Sequence, residues 1–136
     1  MKYIVAVLLV FSAACGGGKP PATPSDANLS GNWNVVMATT DNQEMDFGVA
    51  ITQSGNILAG HNIPYQGSVQ HGTSCFPSDF SLTGSVNGQS YQTDITDSYG
   101  GLTVIKGVYG GPATFTLNDQ NQDCFMAGTV VMTRQR

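Results

Sequence analysis

Phe80-Ser81-Leu82-Thr83-Gly84-Ser85-Val86-Asn87-Gly88-Gln89-Ser90-Tyr91-Gln92-Thr93-Asp94-Ile95-Thr96 is the stretch that decides the fold. Phe80, Leu82 and Val86 share one parity, the period-two pattern of a strand with one buried face. Asn87-Gly88 then interrupts the pattern. This dipeptide favours a two-residue hairpin of type I′, which needs positive φ at both central positions. The same alternation recurs on both sides of the hairpin. Trp33, Val35 and Met37 share a parity, as do Phe47, Val49 and Ile51, and later Met126, Val130 and Met132. Turn residues separate the runs at Ser54-Gly55-Asn56, Gly100-Gly101 and Gly110-Gly111-Pro112, and the polar stretch 118–123 forms the last loop. About eight strands joined mostly by short turns predict an all-β domain. An antiparallel up-and-down barrel leaves no sheet edge exposed, and a sandwich of two sheets is the alternative.

Composition agrees with one small globular domain. The chain has 136 residues, of which 40% are hydrophobic and 10% charged, too few residues for two domains and too apolar for disorder. Helix formers are scarce: Glu44 is the only glutamate, and Lys106 is the only lysine after Lys19. The net charge is −4 and the five basic residues are scattered, which argues against nucleic acid as a partner.

The N-terminus reads as an export signal over residues 1–14. Met1-Lys2 is followed by the apolar run Tyr3–Phe11, the small residues Ser12-Ala13-Ala14 and then Cys15. The apolar run is far short of the roughly 20 residues that span a bilayer. Ser12-Ala13-Ala14-Cys15 resembles the lipobox of bacterial lipoproteins, with Ser12 where that family usually has Leu, Val or Ile. The resemblance implies cleavage after Ala14 and lipidation of Cys15. It places the protein in the cell envelope, held to the membrane by its N-terminal lipid; ordinary cleavage near the same point is the alternative. Two or more acyl chains, at about 0.8 kcal/mol per buried methylene, anchor stably where one is marginal. Gly16 is not the Asp that retains such proteins at the inner membrane, so an outer-membrane location is expected in a Gram-negative cell. Lipidation of Cys15 would leave Cys75 and Cys124 as one disulfide pair. Closing a loop of that size stabilises by roughly 4 kcal/mol in the chain-entropy description. Residues 15–30, rich in Gly and Pro, read as the lipidated Cys and its tether, and residues 31–136 as the barrel domain.

Leu29-Ser30-Gly31-Asn32-Trp33 resembles the Gly-x-Trp opening of lipocalins and avidins, the calycin barrels. In those families a basic residue near the end of the last strand packs across the Trp and closes the barrel floor. Arg134 shares the parity of Val130 and Met132 and is the residue that the resemblance assigns to this role. Avidin's biotin cage needs several tryptophans, and this chain has one. Inward-facing Gly84 and Gly128 would leave space in the lumen, whereas Trp33, Met37, Phe47, Phe80 and Met132 would fill it, and the sequence does not choose between the two.

Constellations for catalysis are weak. His71, Ser74 and Asp79 lack a nucleophile elbow or a helix N-terminus for an oxyanion hole. His61 and His71 have no compact metal-ligand spacing. Asp119, Asn121 and Asp123 begin like an EF-hand loop, but Cys124 stands where that loop needs Gly and Val130 where it needs Glu. Asp41, Glu44 and Asp46 form another acidic turn, and Asp94 or Asp97 could reach a barrel rim for glycosidic chemistry. No enzyme activity, metal or cofactor is expected. The sequence points to a small apolar ligand in the barrel mouth, with Tyr65, Phe76 and Tyr99 as rim contacts. The alternatives are a protein-binding module, such as the avidin-like barrels that inhibit proteases through an N-terminal trunk, and a purely structural surface lipoprotein.

Overall fold

The computed structural model describes residues 27–67, 79–119 and 124–136. They form eight antiparallel strands in a closed barrel, each hydrogen-bonded to the next in sequence and the last to the first. The strands are β1 (Gly31–Thr39), β2 (Glu44–Ser54), β3 (Ile57–Ile63), β4 (Phe80–Asn87), β5 (Ser90–Asp97), β6 (Leu102–Val108), β7 (Ala113–Asp119) and β8 (Cys124–Arg134). No helix occurs among the described residues. The up-and-down barrel is therefore the fold, and the two-sheet alternative is not. Closure runs through β1 and β8, where Trp33 faces Arg134 and Met37 faces Val130. It pairs both outer strands of the meander and removes the edges on which another chain could add.

Alternation sets what lies inside. Val35 and Met37 of β1, Ile95 of β5, Ile105 of β6 and Phe115 and Leu117 of β7 are almost fully buried along the axis. Phe47 and Phe80 meet edge to face, ring centres 5.2 Å apart at 81°. Each such side chain stabilises by about 1.5–3 kcal/mol relative to exposure. Backbone of the neighbouring strands lies close against Gly84 and Gly128. A Cβ at Gly84 would strike the Gln92 carbonyl of β5, and one at Gly128 the Ala38 carbonyl of β1. These glycines let a neighbouring backbone come close in a small, strongly coiled barrel, so they do not hollow it.

The Asn87-Gly88 hairpin forms, but centred one residue later than expected. Asn87 pairs with Ser90, which leaves Gly88-Gln89 as the turn, and only Gly88 has positive φ, at 59°. One positive φ at the first central position fits type II′, not type I′. Residues 27–30, read above as the last part of the tether, belong to the domain: Ala27 and Leu29 are each 2% exposed and join the core. The barrel closes and fills its core with residues from Ala27 onward.

The connection after β3 crosses the outer wall. Ile63 faces Gly48 across β2, and Gly48 faces Asn34 of β1. Asn34 then donates its amide to the Gln66 carbonyl (2.6 Å) and accepts from the Gln66 N–H (2.9 Å). The Gln135 amide donates to both Asn34 Oδ1 (2.8 Å) and the Pro64 carbonyl (2.9 Å). The chain thus passes over β2 at Gly48, where a Cβ would stand 2.5 Å from the Ile63 and Pro64 carbonyl oxygens. Both obstacles are backbone and cannot swing aside. Gly48→Ala is expected to lower unfolding free energy by about 1–3 kcal/mol in urea titrations, the range for overpacking a filled site.

Candidate functional site

The barrel has two unlike ends. One carries the tight turns β2–β3, β4–β5 and β6–β7, together with the strap of residues 27–30. The far end carries the connections β1–β2, β3–β4, β5–β6 and β7–β8. The strap is irregular backbone held over a buried core, so its polar groups need partners other than a ladder. Its four carbonyls all find one. Ala27 O accepts from Gln53 Nε2 (3.0 Å), Asn28 O from Arg134 Nη2 (2.9 Å), Leu29 O from the Trp33 indole N–H (2.8 Å) and Ser30 O from Arg134 Nη1 (2.8 Å). The Leu29 N–H donates to Gln53 Oε1 (2.9 Å), and the Ala27 N–H to the Gly88 carbonyl (2.9 Å). The Arg134 guanidinium lies 4.4 Å from the Trp33 ring centre, a cation–π stack worth about 0.5–2 kcal/mol.

Beside the strap, the same end opens into a groove of about 530 Å³. Leu29, Trp33 and Tyr91 line its floor, Val130 and Met132 of β8 one wall, and the β6–β7 turn from Val108 to Pro112 the other. Arg134 stands at its edge. Tyr91 reaches across the axis over Gly107, its partner in the β5–β6 register, and donates its hydroxyl to Met132 Sδ at 3.4 Å. The lining is chiefly apolar with one cation and one phenol, the chemistry of a binding site for a compact apolar group. Its volume lies within the range for small-molecule sites.

Several residues singled out in the sequence lie elsewhere. Tyr99 is exposed in the far-end turn β5–β6, and Tyr65 lies on the outer wall near Asp46; neither lines the groove. Burial, and then the Asp46 and Glu44 charges, hold the Tyr65 hydroxyl above its ordinary range. Ala14, Cys15, His71, Ser74, Cys75, Phe76, Asn121 and Asp123 fall outside the described residues, while Cys124 opens β8, half-buried, opposite Asp119. His61 is exposed on β3. Asp97 Oδ1 accepts from the Tyr99 and Gly101 N–H groups (2.8 and 2.9 Å), and Asp94 accepts from Gln92 on the outer face (3.1 Å). Three residues apart on one strand, they point to opposite faces of the sheet, so they do not flank a cleft. Among the described residues, no three of His, Cys, Asp and Glu gather closely enough to hold a metal.

Sequence reasoning missed Gln53, Tyr91 and the groove itself. Gln53 has no distinguishing neighbour in the sequence, and Tyr91 looks like any inward strand residue. Comparison with family models, curated proteins and solved structures found no match.

Burial pushes the Tyr91 phenol above the ordinary tyrosine value of 10.0, since desolvation disfavours phenolate. The folded state then holds a proton that the unfolded state releases, so stability present below pH 10 falls as pH rises toward the folded pKa. Urea midpoints measured across that alkaline window should decline, and Tyr91→Phe should flatten the decline by the share that Tyr91 contributes.

Proposed function

We propose that this is a lipid-anchored envelope lipoprotein whose non-catalytic, calycin-like barrel binds a small apolar ligand. The observation that carries the binding reading is the groove of about 530 Å³ between the strap, β8 and the β6–β7 turn. The groove lies away from Tyr65 and Tyr99, two of the barrel-mouth contacts expected from the sequence, and Phe76 falls outside the described residues. Met37, Ile105 and Phe115 fill the axis, and the strap-end groove provides room beside them. Calycin likeness is supported by the Arg134 stack on Trp33 and by the Gly31-x-Trp33 opening of β1. The lipid anchor rests on residues 12–15 and the Cys75–Cys124 staple on cysteine parity, both sequence arguments. In a Gram-negative host, Gly16 in place of Asp after the anchored Cys15 favours the outer membrane over the inner.

Trp33 is the single tryptophan of the chain and sits in the groove floor, so its emission reports occupancy directly. N-phenyl-1-naphthylamine, an apolar fluorophore that accepts energy from tryptophan, should bind saturably and quench Trp33. Val108→Asp sets a charge on an exposed stretch of the groove wall and should weaken binding at least about tenfold, which is about 1.4 kcal/mol. Unsaturable binding, or no effect of Val108→Asp, would remove the groove as the site.

Intact mass after alkylation without reductant checks the covalent proposals on membrane-purified protein. A chain beginning at acylated Cys15 with Cys75 and Cys124 unalkylated is expected. An unacylated Cys15 removes the anchor, and alkylated Cys75 and Cys124 remove the staple.

A further inference from the structure

The charges of the barrel are sorted by end. The three Lys and Arg side chains among the described residues, Lys106, Arg134 and Arg136, all stand in the strap half. Six of the seven described acids, from Asp41 to Asp119, stand in the far half, with Asp94 near mid-height. A seven-residue strand such as β7 spans about 23 Å, or about 18 Å along the axis of a barrel tilted by about 40°. Charges at opposite ends are thus separated by more than the Debye length of about 8 Å at physiological salt, although Asp94, on the strand beside Lys106, is not. A charged surface touching the strap end therefore meets local positive charge, despite the net charge of −4. The preceding tether adds one charge of each sign, Lys19 and Asp26.

Three further features converge at this end. Arg134 has its hydrogen bonds to two backbone carbonyls and its stack on Trp33, and no carboxylate among the described residues neutralises it. The apolar groove opens directly beside it. Ala27, the first described residue, is tied to the Gly88 carbonyl of the β4–β5 turn, so the preceding chain enters here. The twelve residues from Cys15 to Ala27 reach at most about 43 Å. A barrel held by that leash can lay its strap end on the surface that holds it.

We infer that the strap end seats on an anionic phospholipid surface, with a headgroup phosphate on Arg134 and an acyl chain entering the groove. This rests on the groove reading above and names the class of its ligand. The phosphate supplies the charge that Arg134 lacks, and the groove covers methylenes that leave the bilayer. Lys106 and Arg136 lie outside the groove lining and contribute only long-range attraction.

The test uses residues 16–136, which lack Cys15 and so cannot bind through an acyl anchor. Phosphatidylcholine vesicles with and without phosphatidylglycerol carry bromine on their acyl chains, and quenching of Trp33 is read. Strong quenching is expected only with phosphatidylglycerol, and it should fade as salt is raised. Because Trp33 lies at the strap end, quenching also fixes which end faces the lipid. Lys106→Gln with Arg136→Gln should weaken vesicle binding about fivefold for each charge removed, with binding of N-phenyl-1-naphthylamine in solution unchanged. No quenching, or equal quenching by vesicles of phosphatidylcholine alone, overturns the inference. If the soluble probe still binds, the groove reading survives that loss; if neither binds, both fall.

Discussion

Four consecutive carbonyls, from Ala27 to Ser30, are satisfied by only three side chains, and the strap end is organised around that fact. Backbone laid across a core in no regular ladder would cost roughly 1–3 kcal/mol for each buried group left unpaired. Gln53 from β2, Trp33 from β1 and Arg134 from β8 remove the cost. Each donor comes from a strand that closure brings to this end. The strap depends on the closed barrel, and the barrel end depends on the strap for its lid of Ala27 and Leu29.

The same arrangement explains why the hollow lies where it does. Small eight-stranded barrels either fill their axis with side chains or keep room for one small ligand. Here Met37, Ile95, Ile105, Phe115 and Leu117 fill it. The strap covers one side of the end, towards Gln53 and Gly88, and leaves the side towards the β6–β7 turn and β8 open. The groove is what a four-residue strap does not reach. Its charge follows from the same ending: the cation that stacks on Trp33 is the cation at the groove edge.

How much was legible in the sequence differs from element to element. The barrel was legible because period-two alternation and turn chemistry are local, and each run repeated the same message. Phe80, Leu82 and Val86 reported an inward face without help from any other strand. The hairpin at Asn87-Gly88 was legible in kind and off by one residue in register, since either turn can join the strands and cross-strand packing selects between them. Gln53 was not legible. A polar residue at a strand end looks like solvent-facing sequence until the strap lies beside it. Tyr65 shows the converse: an aromatic residue expected at the barrel mouth stands against the outer wall, close to Asp46 and Glu44.

By itself the sequence determined an all-β chain, its inward parity, its likeness to a Gly-x-Trp barrel opening and the residues that read as an export signal. Those follow from the steric and hydrophobic preferences of neighbouring residues. It took the tertiary structure to show that backbone packs against Gly84 and Gly128, that the axis is filled, and that the groove sits at the strap end. Such outcomes depend on where residues a hundred positions apart, such as Ser30 and Arg134, come to rest. No local pattern encodes that distance.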